Sequence, residues 1–490
     1  MKNARSVFLV SVLATLLTAF PAIAEDAPPT KEELLAHPEV AGAIAAIDAY
    51  VQGVQIYDKV PGISVGIVYD QDLLWQSGYG YSNLESRRPA DADTLYSICS
   101  ISKLFTAIGV MQLRDAGELT LRDPVGDHLD WFTIEQVHEE GGPATIESLL
   151  THSSGLPRES DFPYWNGPDY PFPTRAQIID QLSSQETLYP AQTFFQYSNL
   201  ALSLAGEIIQ ERSGQEYTRY INEKILEPLG LSDTRTYYPE DLRGEQMAIG
   251  YKGIQRAGTR EPVPPFFTRG ITAAAGFTSS VNDLAKFASW QFSLLENGSD
   301  DVLNANTLRE MQRVHWVDPD WETTWGIGFN VRPVDDMTVV GHSGGCPGYI
   351  TQFIMVPKHK FAAIALTNAA DGPAGRIAMN MLKTIGPALK EGTTPAENDI
   401  PDFSMYEGNY NTWSHGGETA IRQWGDQLVL IDIPRDDLSQ AMIKLEYDGD
   451  HTFTRLTDSG DRREPWVFEI GADGKADRVF RHSVYLQRID

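Results

Sequence analysis

Three short stretches hold the side chains with which this sequence could do chemistry. The first is Ser100-Ile101-Ser102-Lys103. Ile101, Leu104, Phe105, Ile108 and Met111 recur at three- and four-residue steps, so an amphipathic helix with one buried face is expected there. Residues three apart share a helix face, which brings the Lys103 amine over the Ser100 hydroxyl. A serine hydroxyl is a weak nucleophile until a base takes its proton. A helix N-terminus also favours the negative charge that develops when serine attacks a carbonyl. Alone, the pair also fits a capping serine and a solvent-facing lysine. The other stretches weigh against that: Tyr197-Ser198-Asn199, His342-Ser343-Gly344 and Gly345 follow in order. Tyr197 offers a phenol to share the proton with Lys103, and Asn199 an amide to hold Lys103 and a substrate carbonyl. His342 offers a ring to bond the phenol or the substrate. The backbone N–H groups of Ser100 and Gly345 would form an oxyanion hole, with Gly344 and Gly345 permitting close backbone approach. His152 reads as a buried structural histidine and stays outside the catalytic set.

Several elements must position these groups. Lys31 to Gln55 reads as a helix, and Gly62 to Tyr69 with Leu73 to Tyr81 as a hairpin in a central antiparallel sheet. Tyr197 and Asn199 fall at the entry of a helix over Leu200 to Arg212. Trp325 to Val331 and Thr338 to Gly341 read as strands, the second ending at His342. Tyr349 to Val356 and Phe361 to Asn368 complete the group, and Ala374 to Ile385 closes it with a helix. Strands at both ends around a helix-rich middle indicate an α/β domain whose sheet is completed by both terminal segments. Ser160 to Thr174, rich in Pro, Tyr, Phe and Trp, is either the wall of a binding cleft or an ordinary packed loop. Residues 391–401 read as a linker. Residues 402–490 read as a small all-β domain with seven strand candidates, the last being Val479 to Ile489.

The chain has 490 residues, enough for two or three domains. Lys2 and Arg5, an apolar run from Val7 to Phe20 and the Ala22-Ile23-Ala24 site make residues 1–24 a cleaved secretory signal peptide. The expected location is therefore periplasmic or secreted, without stable membrane insertion. With 39 basic and 67 acidic side chains the net charge is −28, which argues against nucleic acid as a partner. Ten histidines without a ligand-spaced cluster, and two cysteines, call for no metal or other cofactor. Cys99 and Cys346 each adjoin a motif. They either pair in an oxidising compartment or remain two buried thiols.

The ordered series resembles the serine β-lactamase and penicillin-binding-protein superfamily. It is most similar to the branch holding class C β-lactamases, D-aminopeptidases, D-Ala-D-Ala carboxypeptidases and family VIII esterases (peptidase family S12). The resemblance runs from about Val60 to Ile385 through PGISVGIVYD, LYSICSISKLFTAIGVMQLRDAGELTLRDPV, ESLLTHSSGLP, FFQYSNLALSLAGEIIQERSG, AAAGFTSSVNDLAKF and VVGHSGGCPGY. It implies a β-lactamase/transpeptidase-like fold, an antiparallel sheet with flanking helices and an all-helical region, over residues 25–390. It implies Ser100 as nucleophile, Lys103 as its base, Tyr197 as second proton shuttle, Asn199 as orienting amide and His342-Ser343-Gly344 as the third motif on the strand beside the nucleophile, with His342 in the catalytic set and Ser343, Gly344 and Gly345 binding substrate. The activity implied is hydrolysis of a D-amino-acid peptide or amide, or a small ester, through an acyl-enzyme. The alternatives are a true β-lactamase and a penicillin-binding sensor with little turnover. Where class C enzymes have Lys-Thr-Gly this chain has His342-Ser343-Gly344, and a largely neutral histidine suits the peptidase and esterase members better. Pro190-Ala191 replaces the usual Pro-Gly. The C-terminal region resembles an appended lipocalin-like β-barrel, which in that setting shapes access to the site or oligomer contacts; a homo-oligomer is open. Tyr410, Trp413, Trp424 and Trp466 would line a cavity in it or form its core.

Overall fold

Residues 29–138, 141–299, 301–395, 400–411, 416–457, 459 and 461–490 are described by the computed structural model. The signal peptide expected over 1–24 lies outside the described residues, as does Trp413. No helix among the described residues is long and apolar enough to cross a membrane.

The strand Gly62–Tyr69 is buried along almost its whole length, as its dense β-branched composition requires of a strand covered on both faces. It pairs antiparallel with Asp72–Asn83 on one side and with Phe361–Thr367 on the other, in the register Ile63↔Thr367, Val65↔Ala365, Ile67↔Ala363. The nine-stranded antiparallel sheet continues through Tyr349–Val356, Met337–Cys346 and Asn330–Val334. Both terminal segments of the domain thus complete one sheet, as the clustering of strands anticipated.

Alternation along these strands builds two cores. Val65, Ile67, Ala363, Ala365 and Ile354 pack with the helices Pro38–Tyr57 and Ala374–Glu391. Ile364, Leu366, Phe353 and Met355 point the other way, toward Leu104, Phe105 and Ile108 of the helix Ser102–Asp115 and Phe287 of the helix Val281–Asn297. The helix Ser102–Asp115 is buried on nearly every side, not on one face. Its polar members are paired inside: the Thr106 hydroxyl is 2.6 Å from the Tyr217 hydroxyl and also donates to Ala273 O.

Four segments depart from expectation. The helix over Lys31 to Gln55 divides at His37, because Pro38 cannot donate to the preceding turn; it opens a new helix, with His37 Nδ1 accepting the Glu39 N–H. The strand over Trp325 to Val331 is interrupted at Gly326–Phe329, where the Gly328 backbone (φ +76°) presses against Ala107 of the buried helix. The strand expected to end at His342 runs from Met337 to Cys346. Val479 to Ile489 is two strands, Ala476–Arg481 and Val484–Gln487, turning at His482 (φ +53°).

The C-terminal region is an eight-stranded antiparallel meander. A bridge between Tyr410 and Arg488 brings its first and last strands together, so the barrel is nearly closed. Tyr410, Phe453, Trp466 and Phe468 fill its interior. Trp424 is not among them. It lies on Gly42 of the helix Pro38–Tyr57, where any Cβ would fall 2.6 Å from the Trp424 Cα, and its Nε1 donates to Glu39 at 2.6 Å. Tyr50 donates to Asp436 O, and Asn380 Oδ1 accepts the Leu438 N–H. The barrel therefore sits behind the sheet, on the helix layer opposite the Ser102–Asp115 helix.

Candidate active site

Ser100 lies in the short turn Cys99–Ile101 that opens the buried helix. Cys99 holds φ +51°, a left-handed conformation that costs a non-glycine residue about 1 kcal/mol or more. Its surroundings fix it. Ile98 N donates to Phe277 O, Phe277 N donates to Ser102 Oγ, and Ser102 Oγ donates to Cys99 O. Cys99 also forms a disulfide with Cys346, which resolves the two alternatives for these cysteines in favour of the bridge.

One helical turn on, Lys103 is fully buried. Its Nζ lies 3.1 Å from Ser100 Oγ, 2.8 Å from Asn199 Oδ1 and 2.7 Å from Ala274 O. Burial holds the amine well below its ordinary value; Glu159 counteracts this and Arg158 adds to it. A lysine so placed is disposed to be neutral, with a lone pair for the serine proton. Tyr197 stands beside it, the ammonium position 4.9 Å from the ring centre and the phenol in hydrogen-bonding contact with Ser100. Burial pushes the phenol upward. The two directions together favour a neutral amine with a protonated phenol over an ammonium–phenolate pair.

His152 accounts for how the Tyr197 loop is held. Its carbonyl accepts from Gln196 N at 2.7 Å and its Nδ1 from Ser198 N at 3.1 Å, bracing Tyr197 from both chain neighbours. The ring centre lies 4.2 Å from that of Tyr197, the planes tilted by 36°, and the ring meets Trp325 edge-on. His152 is thus a backbone-bonded structural histidine.

The strand Met337–Cys346 passes in front of the turn. Along it His342 and Gly344 are buried while Ser343 and Gly345 are exposed, the period-two alternation of a strand. Gly344 packs so closely that an added Cβ would lie 2.1 Å from Ile98 O. Thr351, its partner on the next strand, donates to the same carbonyl. His342 does not bond the Tyr197 phenol. Its ring lies 6.1 Å from that of Tyr197, its Nδ1 is 2.6 Å from Ser343 O, and its Nε2 is buried without a partner. Burial and the neighbouring Lys103 lower it to about 3, so this position carries no fixed positive charge at neutral pH.

Two residues outside the motifs belong to the site. Glu159 accepts from Asn199 Nδ2 at 2.7 Å, and the Arg158 guanidinium sits 4.9 Å from the Tyr197 ring centre. They follow Pro157, and Arg158 O accepts from Asn199 N and Leu200 N. The aromatic stretch Ser160 to Thr174 proves to be a packed loop: Tyr164 and Phe172 are buried against Trp165 and Phe266. Tyr164 and Trp165 both donate to Glu159. Nothing in hydrophobic period singles out Arg158 or Glu159; their adjacency to a Gly155-Leu156-Pro157 turn was the available signal.

The arrangement brings a serine hydroxyl, a buried amine and a phenol together, with the strand carrying Gly344 packed against the turn. That set suits acyl transfer. Residues 46–385 match the family model described as Beta-lactamase. Beta-lactamase-like protein 2 of Dictyostelium discoideum is 26% identical over 332 residues, 65% of this chain and 58% of that protein. Penicillin-binding protein 4* of Bacillus subtilis is 28% identical over 313 residues, 61% of this chain and 66% of that protein. The chain thus spans about three fifths of the length of these relatives. Among solved structures, that of the octameric penicillin-binding protein homologue from Pyrococcus abyssi superposes with a TM-score of 0.61 at 27% identity, covering 90% of this chain and 99% of that one.

Proposed function

The chain belongs to the Beta-lactamase family, and we propose that it is an exported serine hydrolase working through an acyl-enzyme on Ser100. The observation that carries this is the environment of Lys103 Nζ, 3.1 Å from Ser100 Oγ with its other two polar neighbours both obligate acceptors. Ser100 attacks the substrate carbonyl as its proton passes to Lys103. Tyr197 returns a proton to the leaving group. The backbone N–H groups of Ser100 and Gly345 stabilise the oxyanion, and Asn199 orients Lys103. Water then releases the acyl group by the reverse path.

The substrate is a D-amino-acid peptide or amide, or a small ester. The neutral, buried His342 supports this over an efficient β-lactamase, because it supplies no fixed cation for a β-lactam carboxylate. The disulfide beside the site supports export to an oxidising compartment, in line with the signal peptide over 1–24. The octameric relative supports a homo-oligomer.

Intact-mass spectrometry of the protein and of Ser100→Ala, each mixed with a fluorophosphonate, a penicillin, a D-Ala-D-Ala peptide and a short-chain ester, tests the reading. Adducts on the native chain alone, with peptide or ester turned over, are expected. A stable penicilloyl adduct without product would make it a penicillin-binding sensor, and rapid penicillin turnover a β-lactamase. Failure of every reagent to add would remove Ser100 as nucleophile.

A further inference from the structure

Glu159 makes the strongest polar cluster at the site that the acyl-transfer scheme leaves unused. Its Oε1 accepts from Asn199 Nδ2 at 2.7 Å and from Trp165 Nε1 at 3.0 Å, and its Oε2 accepts from the Tyr164 hydroxyl. Arg158 Nε lies 3.4 Å from Oε1. An ionised carboxylate only accepts hydrogen bonds. Asn199 must therefore turn its NH2 toward Glu159, which leaves Oδ1, an acceptor, facing Lys103 at 2.8 Å. Ala274 O, at 2.7 Å, is likewise only an acceptor. A neutral amine has two N–H bonds and one lone pair. With both N–H bonds directed at Asn199 and Ala274, the lone pair is left for Ser100 Oγ.

We propose that Glu159 is a positioning residue which, by fixing the Asn199 amide, aims the Lys103 lone pair at Ser100. This rests on Ser100 being the nucleophile. Were the Asn199 amide reversed, its NH2 would face the amine, and Lys103 would have to offer its lone pair there instead of to the serine. The carboxylate is in turn held by two donors from the packed aromatic loop, Tyr164 and Trp165, which gives that loop a part in positioning Lys103. The charge of Glu159 has a second effect. The charged or titratable groups around Lys103 are Glu159, Arg158, His152, His342 and Tyr197, and of these Glu159 is the anion that favours the protonated amine.

The pH dependence of kcat/KM for a short-chain nitrophenyl ester, together with the rate of fluorophosphonate labelling, tests this in the full chain and in Glu159→Gln and Glu159→Ala. Glutamine keeps an acceptor for Asn199 but removes the charge. Its acid limb is expected to move to lower pH, with a plateau within about threefold of the parent. Alanine frees the amide, and its kcat and labelling rate are expected to fall by about 10- to 100-fold with KM changed much less. A Glu159→Ala protein of parental kcat, or a Glu159→Gln protein with an unmoved acid limb, would overturn the proposal. If the alanine variant does not fold, the glutamine profile decides. A parent chain that takes no label at Ser100 would overturn the nucleophile itself, a result distinguishable from either variant's behaviour.

Discussion

Cys99 and Cys346 are joined by a disulfide with their α-carbons 5.8 Å apart, and each is the chain neighbour of a residue whose backbone N–H is assigned to the oxyanion hole, Ser100 and Gly345. The bond ties the Ser100 turn to the strand that faces it, where Thr351 donates to Ile98 O and Gly344 packs against that carbonyl. Replacing Cys346 by serine, or reducing the bond, should lower kcat about tenfold with a smaller change in KM. Unfolding in guanidinium should show a loss of about 2–4 kcal/mol, the usual range for a native bridge closing a long loop. Reduction that leaves kcat untouched would show that packing alone maintains the hole.

Gly344→Ala addresses the same contact without touching sulfur. Its Cβ would lie 2.1 Å from Ile98 O and 2.3 Å from Thr351 Oγ1, so strand and turn must separate. A loss of about 100-fold in kcat/KM is expected from a displacement near 1 Å, measured on the same ester. Gly345→Ala, whose Cβ meets only Ile350 Cδ1 at 3.4 Å, should keep most of the activity.

His342 makes stability depend on acid. Its folded value of about 3 lies below the ordinary 6.5. Between these two values the unfolded chain binds the extra proton and the folded chain does not. Its contribution is therefore intact above pH 6.5 and is lost as the pH falls toward 3. The difference in unfolding free energy between the parent and His342→Gln should change with pH inside this window, with a slope approaching about 1.4 kcal/mol per pH unit. It should be flat above pH 7. Urea denaturation at a series of pH values measures it, and a constant difference from pH 4 to 8 would contradict the assignment.

Trp424→Ala should act on the joint between the barrel and the β-lactamase-family domain. The ring covers Gly42 and bonds Glu39, so a loss of about 2 kcal/mol is expected from removing a half-buried indole. Because this joint is on the far side of the sheet from Ser100, kcat of the folded fraction should remain at the parental value. A fall in kcat without a fall in melting temperature would contradict that separation.

Local pattern carried much of this architecture. Periodicity marked the Ser102–Asp115 helix, whose three-residue step brings Lys103 to Ser100, and β-branched density marked Gly62–Tyr69. Short strand candidates marked the barrel, although its last strand pair reads as one because His482 turns without a glycine. What stayed hidden depends on distant segments meeting. That helix reads as half-exposed because its sequence does not say that other helices will cover its second face. Glu159 carries no sign of its role, since Asn199, Tyr164 and Trp165 reach it only in the folded loop. The orphaned Nε2 of His342 is equally a product of packing, and the motif alone suggested a bond to Tyr197 that the 6.1 Å ring separation does not make.

The pairing of Gly62–Tyr69 with Phe361–Thr367 also sets a schedule. A ribosome delivers Ser100 and Lys103 early, while Cys346 follows 247 positions after Cys99 and the strand completing the sheet later still. Until Met337–Cys346 emerges Ser100 lacks its facing strand, and until Phe361–Thr367 follows nothing joins that strand to Gly62–Tyr69. A chain cut short of Phe361–Thr367 is consequently expected to carry Ser100 and Lys103 without the sheet that sets them, so the site would assemble well after its first residues are made.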